Sequence, residues 1–284
     1  MPKREGRMWP AETPACTAEG VARACAKQLR NKPLRQSLLD SMSTLSSNSI
    51  AYQASAADGS MHTATSAGYA VPGIADADMH GLYKGRLARP GSPAYVFYER
   101  LRMGASDGLC AYCRYGQAKT LDHFIPKTII AGLSIEPWNL VPCCHQCNHR
   151  LGQQWSTQAH GQLLHPYFAP DLGRWLRAVV LPTQPPSVAF VADPDAALSP
   201  DLQSQILNQF DALGLGDLYA VVCSQELTGL NRRLNAIADQ IDVPSYLDEL
   251  ARVAFCADPN DRRGAMYEAL AQSEWYCEGG FADG

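Results

Sequence analysis

Two close cysteine pairs constrain this chain more than any other feature. LCAYC carries Cys110 and Cys113, and PCCHQCNHR carries Cys144 and Cys147. Two intervening residues let both sulfurs of a pair turn toward one ion while backbone amides stabilise the thiolates. Structural zinc takes four such ligands in a tetrahedron. About thirty residues separate the pairs, so one ion would clasp residues 110–152 into a compact module. A single pair would fit a redox dithiol equally well. Two pairs bracketing one segment predict structural Zn²⁺ on Cys110, Cys113, Cys144 and Cys147. Spacing alone does not make that set unique, because Cys143, His145 and His149 lie close by. Cys144 is preferred to Cys143 because it repeats the geometry of the first pair.

The disulfide alternative depends on compartment. The N-terminal MPKREGRMWP is charged and no apolar segment follows it, unlike a secretory signal. No apolar run approaches the roughly 20 residues that span a bilayer. The expectation is a cytoplasmic protein, away from membranes, with reduced thiols. Cys16, Cys25, Cys223, Cys256 and Cys277 stand singly and are read as small buried hydrophobes.

With 46% hydrophobic and 18% charged residues over 284 positions, the chain has an ordinary globular balance and room for one or two cores. The patterning predicts a mainly α protein with a small α+β module. Helices are expected over TAEGVARACAKQLR, from Pro33 through PLRQSLLDSMSTL, and over PAYVFYERLRMG. Residues 46–91 are rich in Ser, Ala and Gly, and YKGRLARPGSP reads there as an exposed basic linker. After the Cys/His segment, a proline-broken stretch holds two short apolar runs that suggest strands. The remainder, beginning with the cap-like Ser199, shows helical stripes. The expected divisions are 1–92, an N-terminal helical region with the linker; 93–168, the module; and 169–284, an acidic helical region.

The net charge of −4 conceals an asymmetry. Residues 1–104 carry 13 Lys/Arg against 8 Asp/Glu, whereas residues 156–284 carry 7 against 17. A basic front half suits a polyanion, although solvated helix faces alone give the same numbers.

Four thiols would fill a zinc site and leave Asp122, His123, Asn139, Asn148 and His149 without a role. The order Leu-Asp-His-Phe-Ile-Pro-Lys, Asn-Leu-Val-Pro, Cys-x-x-Cys-Asn resembles the zinc-clasped HNH endonucleases of the ββα-metal type. The resemblance covers roughly residues 95–168. It implies a hairpin with Asp122 and His123 on its first strand, followed by a helix from about Cys144. It implies Asp122 and Asn148 as oxygen ligands of a catalytic Mg²⁺ or Mn²⁺, with His149 the alternative to Asn148. His123, projecting to the other side of the strand, would be the general base. Asn139 would hold the hairpin loop and orient His123. Lys127 and Arg150, together with Lys84, Arg86, Arg89, Arg100 and Arg102, are the expected contacts to nucleic-acid phosphates.

The expected activity is hydrolysis of DNA phosphodiester bonds, with double-stranded DNA the expected substrate, in the manner of a restriction or anti-phage effector. A junction- or repair-type nuclease would share the same site. A non-catalytic zinc-clasped binding module would share only the thiols. The acidic half suits a regulatory protein partner such as an ATPase, or a second copy of the chain.

Overall fold

The computed structural model describes residues 11–282; the charged MPKREGRMWP stretch lies outside them. The described chain is mainly helical with two small antiparallel sheets. It divides into two compact units between Ala169 and Pro170.

In the first unit, α1 (Ala18–Ala26) starts where Thr17 Oγ1 accepts from the Gly20 amide at 3.1 Å. This satisfies one of the open N–H groups of a helix start. Asn31 caps α2 (Lys32–Asp40) in the same way, and α3 (Met42–Asp58) ends at Gly59, whose φ of +79° is a left-handed helix stop. Then come α4 (Asp76–Leu82), which runs into a π-helical turn at Tyr83–Leu87, and α5 (Tyr95–Met103). Strand β1 (Thr120–His123) pairs antiparallel with β2 (Leu140–Cys143), Asp122 opposite Val141, and α6 (His145–Leu151) follows.

YKGRLARPGSP is not a free linker, and the Ser/Ala/Gly-rich residues 46–91 fold into this unit. Helix α3 buries Leu45, Ser49, Tyr52 and Ala56, a stripe at helical spacing among small residues. Small side chains let neighbouring backbones approach closely, so few large apolar residues are needed to seat the helix. Val71, Met79, Leu82 and Leu87 share one core with Leu38 and Leu101, and with Leu121 and Leu140 of the hairpin. YKGRLARPGSP is accordingly built into the unit: Leu87 is buried, and the Arg86 guanidinium donates to the carbonyls of Cys25 and Lys27. Gly132 is needed where the hairpin loop crosses the Ala67–Tyr69 turn. A Cβ there would sit 1.9 Å from the Tyr69 carbonyl oxygen. The segment before residue 92 and the hairpin thus fold as one body.

The second unit begins with the antiparallel pair β3 (Leu176–Leu181) and β4 (Ser187–Ala192). The helices α7 (Pro200–Leu213), α8 (Leu215–Ile237), α9 (Val243–Phe255) and α10 (Arg262–Ala271) follow. Ser199 caps α7 through the Leu202 amide. Strand β3 packs on α10 and β4 on α8. Asn260 ties the strand start down, its Oδ1 accepting from the amides of Trp175 at 2.8 Å and Leu176 at 2.9 Å. Among the described residues, no helix is long and apolar enough to cross a membrane.

Candidate functional site

The sulfurs of Cys110, Cys113, Cys144 and Cys147 all lie within 4.8 Å of one another, and all four residues are buried. Zinc–thiolate bonds of about 2.3 Å place tetrahedral sulfurs roughly 3.8 Å apart. Cys113 and Cys144 stand at 3.9 Å, so the cluster fits a closed structural zinc site. One backbone amide supports each pair, just past the first pair and within the second. The Gly116 amide donates to Cys113 Sγ at 3.4 Å, and the Cys147 amide to Cys144 Sγ at 3.4 Å. Gly116 is required at this spot, since a Cβ would come within 2.8 Å of Cys144 Cβ. Hydrogen bonds among the four thiols lower Cys144 and Cys113 and raise Cys110 and Cys147, so the cluster shares its protons unevenly. Cys143 is buried outside this group, and His145 and His149 are exposed.

Beside the cluster, a cavity of about 370 Å³ is lined by Asp122, His123, Lys127 and Asn148, with Tyr83 and Thr120 among its other walls. Pleating sends successive strand residues to opposite faces. Asp122 and His123 nevertheless both reach the cavity, because it is built around the end of β1. Asp122 is 6% exposed, and burial pushes its carboxyl up to about 6. The Tyr112 hydroxyl opposes that shift, donating to Asp122 Oδ2 at 2.9 Å. Asn148 donates its amide N–H to the Leu121 carbonyl at 3.3 Å and to Thr120 Oγ1 at 3.4 Å. Its oxygen is the end left for a ligand.

His123 Nε2 lies 3.0 Å from the Ser134 carbonyl. A carbonyl only accepts, so Nε2 carries the proton and Nδ1 keeps the free lone pair. Burial pushes the imidazole down to about 3, with the Lys127 charge adding to the effect. The ring is therefore neutral. Tyr83 packs on it edge-to-face, with centroids 4.4 Å apart, and Lys127 Nζ stands 5.4 Å from the Tyr83 ring. His80 Nε2 meets the Lys127 carbonyl at 2.6 Å.

Asn139 holds the loop but does not hold His123. Its Oδ1 accepts from the Ile125 amide at 2.7 Å and the Tyr52 hydroxyl at 3.0 Å. Its Nδ2 donates to Ile125 O at 3.0 Å and Leu133 O at 3.3 Å. All four hydrogen-bonding positions of the amide are thereby used. Orienting His123 falls to the Ser134 carbonyl and the Tyr83 ring. Tyr52 in turn meets His165 Nε2 at 2.9 Å, and His165 Nδ1 accepts from the Tyr167 amide at 3.2 Å. That order fixes the proton on His165 Nε2.

The basic candidates divide into two groups. Lys84, Arg89, Arg100 and Arg150 are exposed, and Lys127 lines the cavity. Arg86 is committed to backbone carbonyls, and Arg102 to Glu99 at 2.6 Å and the Ala118 carbonyl at 3.2 Å. Sequence reasoning missed Tyr52, Tyr83, Tyr112 and His165. Only Tyr112 carried a signal, its place between two clustered thiols.

The chain is 25% identical over 216 residues to Protein ea31 of Escherichia phage lambda, covering 70% of this chain and 73% of that protein. No family model and no solved structure matches it.

Proposed function

We propose that this chain is a metal-dependent HNH endonuclease of the ββα-metal type that hydrolyses DNA phosphodiester bonds. The observation that carries this reading is the meeting of Asp122, His123 and Asn148 in one cavity, on a hairpin and helix clasped by four thiols. The donor set suits a hard cation, since Asp122 offers a carboxylate oxygen and Asn148 an amide oxygen. When bound there, Mg²⁺ or Mn²⁺ would supply charge neutralisation at the phosphate and at the leaving 3′-oxygen.

The chain's own residues do the rest. His123, neutral and protonated on Nε2, accepts the proton of the attacking water on Nδ1. Lys127 grips a non-bridging or flanking phosphate oxygen, with Lys84, Arg89 and Arg150 along the duplex backbone. The role in the cell is that of a restriction or anti-phage effector, with the acidic second unit serving a protein partner.

The test is nicking of supercoiled plasmid by the zinc-loaded protein with Mg²⁺ or Mn²⁺, with and without EDTA. Cation-dependent nicking that His123→Ala abolishes supports the reading. Plasmid binding without nicking under any cation makes the chain a zinc-clasped binding module. Linear duplex, branched DNA and RNA substrates then define the target class.

A further inference from the structure

Tyr112 stands between two clustered thiols, in Cys110-Ala-Tyr-Cys113, yet its hydroxyl serves the neighbouring cavity. The ring is 1% exposed, and the hydroxyl donates to Asp122 Oδ2 at 2.9 Å. A buried carboxylate without a donor is strongly disfavoured, so this bond both steadies Asp122 and restricts its rotation. It occupies Oδ2, the His123 backbone N–H adds a second hydrogen bond to the carboxylate, and the carboxylate keeps lone pairs for a cation. On the second thiol turn, Asn148 follows Cys147 directly and is held by the β1 backbone. Each thiol pair thus carries, inside or next to it, a side chain that sets one oxygen donor of the cavity.

We infer that Tyr112 is a positioning residue through which the thiol cluster sets up the cation site. The Cys110–Cys113 turn, closed on its metal, holds the Tyr112 hydroxyl against Asp122 Oδ2 and so fixes the carboxylate for a divalent cation. Partners of this kind around a ligand carboxylate tune metal affinity by factors of about 10 to 100. The inference rests on the nuclease reading for the existence of its cation. Its primary test, however, is binding and not cleavage.

The experiment uses the full zinc-loaded chain as wild type, Tyr112→Phe and Asp122→Asn. Phenylalanine keeps the buried ring and removes only the hydroxyl. Mn²⁺ affinity is read from the electron paramagnetic resonance of free Mn²⁺, and cluster integrity from zinc content and the visible spectrum of the Co²⁺-substituted thiolate site. Tyr112→Phe is expected to raise the Mn²⁺ Kd about tenfold while zinc content and the Co²⁺ spectrum stay as in wild type. Cleavage, where present, should then need about tenfold more Mn²⁺ and approach the wild-type rate at saturation.

Unchanged Mn²⁺ affinity in Tyr112→Phe overturns the inference. So does an affinity loss that appears only together with loss of zinc, which would make the tyrosine a plain part of the cluster's fold. If wild type binds Mn²⁺, Tyr112→Phe binds it more weakly and Asp122→Asn not at all, yet no nucleic acid is cut, the nuclease reading fails and the positioning role stands. If wild type binds no Mn²⁺, both fail.

Discussion

At the Thr120–Cys143 end of the hairpin, four thiols meet through two short turns, each steadied by a backbone amide on a sulfur. Along the same strand, Asp122 and His123 face a cavity whose other walls come from Thr120 and Leu121, Tyr83, the 126–128 loop, Asn148 and the residues just after its helix. The thiol site is assembled by local spacing. The oxygen site borrows its support from far along the chain. Asn139 accepts from Tyr52, 87 residues earlier, and Tyr52 meets His165, 113 residues later. The lesson is that a closed metal cluster can be self-contained, whereas a reactive cavity needs a shaped and desolvated surround that short segments cannot supply.

That contrast can be broken most severely at the thiols. Cys110→Ser or Cys147→Ser should abolish zinc binding and unfold the first unit. Apparent zinc binding in structural sites contributes on the order of 10–16 kcal/mol, comparable with the whole stability of a domain. Zinc content and thermal melting check this, and a stable, zinc-bearing Cys147→Ser protein would remove the cluster from its structural role.

The oxygen site should respond differently. His123→Ala is expected to lower plasmid cleavage by at least ~100-fold, and Asp122→Ala by as much, with zinc content and melting near wild type. Wild-type cleavage in metal-loaded His123→Ala would falsify the base assignment.

Remote support sharpens the comparison at a smaller scale. Tyr52→Phe strips a donor from Asn139 Oδ1 and an acceptor from His165 Nε2, both buried. The expected cost is about 1–3 kcal/mol, read as a lower urea midpoint with an unchanged slope. An unaltered midpoint would mean that the chain of hydrogen bonds is dispensable.

His165 gives the pH counterpart. Burial pushes it down to about 3, well below the ordinary 6.5 of a free imidazole. Above pH 6.5 both folded and unfolded states leave it neutral. As pH falls from 6.5 toward 3, the unfolded chain takes up a proton that the folded chain refuses, so stability declines across that window. The slope from this one group approaches ~1.4 kcal/mol per pH unit. Denaturation at stepped pH should show His165→Gln losing less stability than wild type as acid is added. Parallel curves would refute the buried-neutral assignment. The smallest effects belong to the exposed cations. Lys84→Ala or Arg150→Ala should weaken DNA binding uniformly across sequences and lower the salt slope by about 1. The guanidinium of Arg86, held by backbone carbonyls, should instead register in stability.

How much was readable from residues alone follows the same divide. Thiol spacing pointed to the cluster, and the Asp122–His123 pair and Asn148 stand at one cavity. The caps of Thr17 and Ser199 mark real helix starts, because a cap acts within three residues of its own position. The 46–91 segment misled because its sparse large side chains understate how closely Ser- and Ala-rich helices pack. Tyr52 carries no local mark of the bond it makes to Asn139, since on α3 it is one more buried residue in a helical stripe. Arg86 and Arg102 looked like surface charge because sequence does not say which carbonyls a long side chain will meet.

By itself, then, the sequence determined the close cysteine pairs and the capped helix starts, since those depend on contacts a few positions apart. Only the tertiary structure decided which nitrogen of His123 is free, which groups brace Asp122 and Asn139, and which cations remain exposed. Those outcomes depend on burial and on hydrogen bonds between distant segments, and neither exists until the core that joins α1–α5 to the hairpin has closed.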